Sequence, residues 1–403
     1  MREVVATAEE DRKLAEKNLA GKKSAARSLS KRSLWELRID EPDELIRAQV
    51  QTRIDRIAKP LDSLGKFEAY LAQIGAITGK ADIDIRKKAV LVMCADNGIV
   101  EEGVSQCGPE VTRQVAESMG RGTSNVCKMA RVVGTDVIPV DVGIAGTEAV
   151  AGVLNRKVMP GTKNFRKEPA MTAEQLLEAI CVGMDLAAEC KEKGYQILAT
   201  GEMGIGNTTT SAAVAAALTG FSAERIVGRG AGLSDAGLVR KREIVQEALF
   251  RYASAGERSG AEMLISARTV PGSKQELMQD KTLQILSCVG GLDIAAMAGV
   301  FIGGAIVHLP VVIDGVISAV AALVAERLVP GVKAYMIPSH KSKEPAADVV
   351  FQALGMEPVI QGNLALGEGT GAVMLFGLLD LAMALYEKPT TFEDIAVEQY
   401  QRF

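Results

Sequence analysis

The chain has 403 residues, 48% of them hydrophobic and only 4% aromatic, and a formal net charge of −4. That length suits one large core with a smaller appendage. The mild acidity, without a basic, aromatic-rich stripe, argues against nucleic acid as the main partner. The six cysteines are scattered without a CxxC pair, and the two histidines are His308 and His340, so neither a disulfide framework nor a structural zinc site is expected. Reduced thiols in a cytoplasmic protein fit this usage best.

Residues 1–33 are charged and carry few large apolar side chains. Glu9, Glu10 and Asp11 stand among the basic residues and no apolar h-region follows, so no secretory signal is expected and the stretch reads as a solvated extension. Helical patterning covers 44–58 and 64–78, with the turn Lys59-Pro-Leu-Asp-Ser-Leu-Gly65 at their junction. The run Ala89-Val-Leu-Val-Met-Cys-Ala-Asp96 is apolar until its final Asp, as a central parallel strand would be. Further strands are expected at 136–143 and 196–200, and within 305–314 and 332–338. Helices are expected at 173–193, 212–218, 238–252 and 372–386. The longest apolar zone, 294–325, is broken by His308, Pro310 and Asp314, so it reads as a buried helix followed by a buried strand, with no membrane span. Strands alternating with helices predict an α/β fold, a parallel sheet covered on both faces, with ligands at the carboxyl ends of the strands. Those ends carry Asp96-Asn-Gly98, Asp141-Val-Gly143, the 201–210 stretch, Asp314-Gly315 and Pro338-Ser-His-Lys-Ser342.

The most informative stretch is Gly201-Glu-Met-Gly-Ile-Gly-Asn-Thr-Thr-Thr-Ser211, a Gly-rich turn from a strand into a helix. Free N–H groups and the helix dipole there suit an anion, most often a phosphate. It is neither a P-loop nor a dinucleotide fingerprint, since no Gly-Lys-Ser/Thr follows and the glycines are differently spaced. A tight loop using glycine for geometry alone is the other reading. Glu202 sits in the same turn. Glu368, between Gly367 and Gly369, is either a reachable base desolvated by Leu364, Leu366 and Val373 or a helix N-terminal acid stabilised by the dipole. Asp293 and Asp314 read as buried, hydrogen-bonded acids. Lys241 and Ser342 read as possible anion contacts or as ordinary surface groups, and His340 as an acid–base group or a turn-holder.

Taken in order, Lys59-Pro, Ser63-Leu-Gly65, Ala95-Asp-Asn-Gly98, Glu102-Gly-Val104, the 201–209 stretch, Gly290-Gly-Leu-Asp293, Ile337-Pro-Ser-His340 and Leu366-Gly-Glu-Gly-Thr-Gly-Ala372 form an ordered set over about residues 45–387. On these motifs the chain resembles the nicotinate-nucleotide–dimethylbenzimidazole phosphoribosyltransferase family. The resemblance implies a Rossmann-like catalytic domain at 81–371, a small helical domain from 34–80 and 372–403, and a homodimer. It implies transfer of ribose 5-phosphate from nicotinate mononucleotide to an aromatic base such as dimethylbenzimidazole, giving α-ribazole phosphate and nicotinate for cobalamin biosynthesis. Neither metal nor cofactor is expected, because the pyridinium is already a good leaving group. Glu368 matches the family's catalytic base and Glu202 a second active-site carboxylate. Gly204, Ile205, Gly206, Asn207 and Thr208 match the phosphate loop, with Lys241 and Ser342 near it. Cys107, Val115, Met203 and Leu366 match the acceptor pocket. Two departures stand out: Asn97 replaces the family's usual His, and Cys107 and Val115 are less polar than expected. A phenolic or purine acceptor, with or without a partner subunit, is therefore an alternative, as is a non-catalytic nucleotide-binding subunit, against which Glu368 argues.

Overall fold

A computed structural model describes residues 31–255 and 273–402, so the expectation for 1–30 lies outside the described residues. Six strands form one sheet: β1 (Lys88–Ala95), β2 (Thr135–Gly143), β3 (Leu154–Asn155), β4 (Ile197–Met203), β5 (Val311–Ile313) and β6 (Met336–Pro338). Their order is β3-β2-β1-β4-β5-β6, and every pairing is parallel. A second, two-stranded parallel sheet joins β7 (His340–Ser342) to β8 (Ile360–Leu364).

All eight residues of β1 are buried, and its side chains alternate between two apolar layers. Ala89, Leu91, Met93 and Ala95 pack in a layer with the helices Ala173–Glu192 and Leu292–Ile306. Val90, Val92 and Cys94 pack in the other, with the helices Lys66–Thr78, Glu110–Gly120, Asn125–Val132 and Thr370–Glu387. A strand covered on both faces has no reason to alternate polar with apolar residues, which is why β1 reads as a continuous apolar run. The helix Thr370–Glu387 is long and apolar enough to cross a membrane, but its buried side packs beneath the sheet.

Four boundaries differ from the sequence reading. The helix expected at 212 begins at Asn207, directly after the left-handed Gly206. Gly201, Glu202 and Met203 belong to β4, so the Gly-rich turn itself is only three residues long. Ala305 and Ile306 end the Leu292–Ile306 helix, leaving β5 three residues. Residues Val332–Tyr335 form a 3₁₀ turn before β6. The two ends of the described chain meet: Arg53 stacks on the Tyr386 ring, Ile57 bridges Thr391, and Arg402 pairs with Asp55 and Asp62. Gln73 and Tyr70 reach across to carbonyls of β6 and its lead-in, seating this helical part on the sheet's edge.

Burial separates the six free thiols into two groups. Cys94, Cys127, Cys190 and Cys288 are buried, and Cys107 and Cys181 are partly exposed. Burial pushes the Cys94 thiol far above its ordinary range, so it is also a poor nucleophile. Native-state alkylation followed by peptide mass mapping is expected to modify Cys107 and Cys181 first and Cys94 only on unfolding. Rapid modification of Cys94 would contradict its place at the centre of the sheet.

Candidate active site

In a sheet ordered this way the chain runs outward from its middle in both directions, and the helices that follow β1 and β4 pack on opposite faces of the sheet. Asp96-Asn97-Gly98 follows β1, and the 204–206 loop follows β4. The two are in backbone contact: a Cβ on Gly204 would stand 2.4 Å from the Ala95 carbonyl oxygen. The Ile205 N–H donates to Thr112 Oγ1 at 3.1 Å. The Asn97 side chain reaches the Ile205 carbonyl and accepts from Thr210 Oγ1, both at 3.4 Å. Gly206, at φ 93°, turns the chain directly into the Asn207–Thr219 helix, whose start has no side-chain cap.

A cation waits at that start. Lys241 is fully buried and donates to Thr208 Oγ1 at 2.9 Å. Burial brings its pKa down to about 8, with Glu344 pulling it back up. Glu344 also accepts from the Gly230 N–H at 3.0 Å and donates its own N–H to Ser342 Oγ at 3.3 Å. An uncapped helix N-terminus, a buried ammonium and hydroxyls together make a place for an anion.

The carboxylates lie beside it. The Asn207 amide donates to Glu202 Oε2 and, at 3.1 Å, to Asp293 Oδ2, so both its hydrogens are engaged. Burial pushes Glu202 well above the ordinary carboxylate range; the Asn207 bond opposes this, and the nearby Asp293, Asp314 and Glu368 add to it. Burial likewise raises Asp293 to about 6. Glu368 stands in three successive left-handed residues, with φ 80°, 61° and 89° at Gly367, Glu368 and Gly369. A non-glycine residue held there costs about 1–3 kcal/mol and marks a position whose geometry is enforced. Its Oε2 accepts the Val126 N–H at 3.2 Å, at the start of the Asn125–Val132 helix, where negative charge is favoured. A Cβ on Gly201 would stand 2.6 Å from the Glu368 carbonyl oxygen, and one on Gly367 would stand 2.6 Å from Glu202 Oε1. These close approaches bring the two acids to one place in unlike surroundings, a pattern suited to proton transfer.

The structure therefore gathers Glu202, Glu368 and Asn207, and separately Lys241 with Thr208, while Ser342 joins through Glu344. Among the expected acceptor-pocket residues, Val115 and Met203 pack on the same apolar layer. Leu366 is 54% exposed, and the Cys107 N–H is bonded within its own turn to Ser105 Oγ. Sequence reasoning missed Thr112, Glu344 and the Val126 N–H, whose roles depend on packing across the fold. Ser124, the N-cap residue of the Asn125–Val132 helix, was the one local signal for the last of these.

A family model described as Phosphoribosyltransferase matches residues 39–397. The chain is 44% identical over 352 residues, covering 87% of it and 94% of the relative, to nicotinate-nucleotide–dimethylbenzimidazole phosphoribosyltransferase of Acetivibrio thermocellus. It is 42% identical over 346 residues to the protein of the same name from Clostridium perfringens, covering 86% of this chain and 90% of that one. Among solved structures it is similar to CobT from Thermus thermophilus, with a TM-score of 0.77 and 36% identity, over 88% of this chain and all of that one (100%).

The Lys241 ammonium predicts a pH dependence for anion binding. With its pKa near 8 in the free protein, the lysine is charged below pH 8 and loses its proton above it. A bound anion favours the charged form, so the affinity for inorganic phosphate is expected to fall by up to about tenfold per pH unit above pH 8. Calorimetric titrations between pH 7 and 9.5 check this, and Lys241→Arg should flatten the profile. A Lys241→Arg profile as steep as that of the unmodified chain would place the titrating group elsewhere.

Proposed function

The chain belongs to the nicotinate-nucleotide–dimethylbenzimidazole phosphoribosyltransferase family and is a phosphoribosyltransferase, and we propose that it moves ribose 5-phosphate from nicotinate mononucleotide to a nitrogen of dimethylbenzimidazole or a related base. The observation that carries this reading is the meeting of Glu202 and the Glu368 turn beside the 204–206 loop and Lys241. The phosphate sits at the start of the Asn207–Thr219 helix, against the loop and Lys241. A benzimidazole nitrogen attacks the anomeric carbon as the bond to the nicotinate nitrogen breaks, and nicotinate leaves with the electron pair. Glu368 takes the N–H proton of the base. Glu202, with its raised affinity for a proton, and Asn207 shape the field around the sugar. Holding donor and acceptor in line supplies the orientation that a bimolecular reaction lacks. Cys107, Val115, Met203 and Leu366 flank the acceptor, and the free thiols fit a cytoplasmic setting.

Glu368→Gln is expected to retain donor binding and lose about two to four orders of magnitude in kcat, the usual worth of general-base catalysis. Glu202→Gln should cost less. Steady-state rates, with products from a mixture of benzimidazoles, purines and phenols identified by mass spectrometry, check the roles and the acceptor together. A silent Glu368→Gln with an inactive Glu202→Gln would reverse the two roles. A phenol as the preferred product would change the acceptor and leave the donor chemistry standing.

The functional unit is a homodimer. Met374, Leu381 and Leu385 are 40%, 68% and 44% exposed at helical spacing on Thr370–Glu387, and Val132, 85% exposed, adjoins Val133, which packs against Gly377 of that helix. An apolar stripe of this kind suits a second copy of the chain. Sedimentation analysis should give twice the chain mass, and Leu381→Glu should shift it to the monomer.

A further inference from the structure

We infer that Asp314, at the carboxyl end of β5, positions the Glu368 carboxylate by holding the left-handed 367–369 turn. This rests on the reading of Glu368 as the base. Asp314 is only 2% exposed. Its Oδ2 accepts the Gly369 N–H at 3.2 Å, and its Oδ1 accepts the Ala372 N–H at 3.0 Å. It thus caps the Thr370–Glu387 helix from another element, filling the place left by Gly369, which offers no side chain. Gly369 is the residue after Glu368, so the same bond fixes the exit of the left-handed turn.

Asp314 is itself braced on several sides. Its N–H donates to Ser318 Oγ at 3.1 Å, and Ser318 is 2.6 Å from Thr200 Oγ1, one residue before the Gly201 that touches the Glu368 backbone. The His340 ring stands 3.8 Å from Asp314 Oδ1 and 3.1 Å from Ser339 Oγ. It also packs against the first turn of the helix that follows, since a Cβ on Gly371 would meet His340 Nδ1 at 1.9 Å. The turn is therefore gripped between β4 on one side and Asp314 with His340 on the other. An unbraced residue at φ 61° relaxes toward negative φ, which swings its side chain away from the Val126 N–H.

Steady-state kinetics with nicotinate mononucleotide and dimethylbenzimidazole on Asp314→Asn, Glu368→Gln and the double variant test this. Asp314→Asn is expected to lower kcat by about tenfold or more, with the donor KM within about twofold. In the Glu368→Gln background it should change kcat by less than about twofold, because the residue it positions is already disabled. Losses that multiply in the double variant overturn the proposal. Glu368→Gln at the unmodified rate would remove the reading of the base itself, whereas a slow Glu368→Gln beside a fully active Asp314→Asn removes the positioning role alone. Urea unfolding supplies a readout independent of turnover. Glu368→Gly relieves the left-handed conformation, so Asp314→Asn should destabilise that background less than it destabilises Glu368→Gln. Equal losses overturn the proposal. If Asp314→Asn fails to fold with Glu368 present, Glu368→Gly is required to restore folding, and failure of that rescue overturns it as well.

Discussion

The turn in strand order at the β1–β4 boundary, where two parallel neighbours send the chain to opposite edges of the sheet, is the constraint on which the rest of the site depends. Both strands are central and covered on both faces up to the last two residues of β4, so their polar ends have only one place to emerge. Asp96 and Asn97 leave β1 there, and Glu202 and the 204–206 loop leave β4 alongside. β5 adds Asp314 at the same end. The remaining requirement is close approach. Backbone contacts at Gly201 and Gly204 put neighbouring elements nearer than any side chain would allow, at 2.6 Å and 2.4 Å from a would-be Cβ. The glycines are thus spacing devices as much as turn formers.

Bringing several acids together at one largely buried end of the sheet is unfavourable, and the structure offsets the cost in distinct ways. Glu202 and Asp293 share one amide, Asn207, and are both raised by burial. Asp314 is raised by burial too, but His340 and the backbone N–H groups of Gly371, Ala372 and Gly315 pull it back. Glu368 is placed on a helix N-terminus. Carboxylates so close do not all ionise together. Burial thus raises the proton affinity of Glu202, Asp293 and Asp314 together at one end of the sheet.

Much of this was legible in the chain. The strand runs were apparent because a doubly covered strand leaves an unbroken apolar signal, and the Gly-rich turn because its residues sit together. The helix after it was placed too late. Thr208, Thr209, Thr210 and Ser211 are weak helix formers, but Thr209, Thr210 and Ser211 are buried against the core, and packing overrides propensity. The β7–β8 sheet went unseen because its strands are short, and the second contains Asn363 at a positive φ. Asp293 and Asp314 were read as ordinary buried acids. That description is accurate for each alone. Their significance lies in what they hold, namely Asn207 and the 367–369 turn, and no local spacing encodes a partner 86 or 55 residues away. Glu368 illustrates the same limit from the other side. It does meet a helix N-terminus, but the helix is the distant Asn125–Val132 one and not its own.

The surroundings of Lys241 and those of Val115 and Met203 are built from different elements, and this separation bears on how one side can change while the other is kept. The buried Lys241 ammonium donates to Thr208 Oγ1 with the Glu344 charge nearby, and removing the Thr208 hydroxyl leaves that ammonium without its partner, at a cost of about 1–3 kcal/mol. Such a pair tolerates little substitution. Val115 and Met203 instead contribute shape to an apolar layer, Cys107 is half-buried with its N–H bonded to Ser105 Oγ, and Leu366 is exposed. Exchanges among residues of similar volume there cost less than breaking a polar unit. On the proposed assignment, a Cys at 107 and a Val at 115 would alter the acceptor side without touching the 204–206 loop or the two glutamates. On that assignment, discrimination among acceptors would rest on fit to an apolar wall, which separates close analogues weakly, and on which acceptor presents a removable proton to Glu368. The carboxylate would then select for chemistry, and the wall around it only for shape.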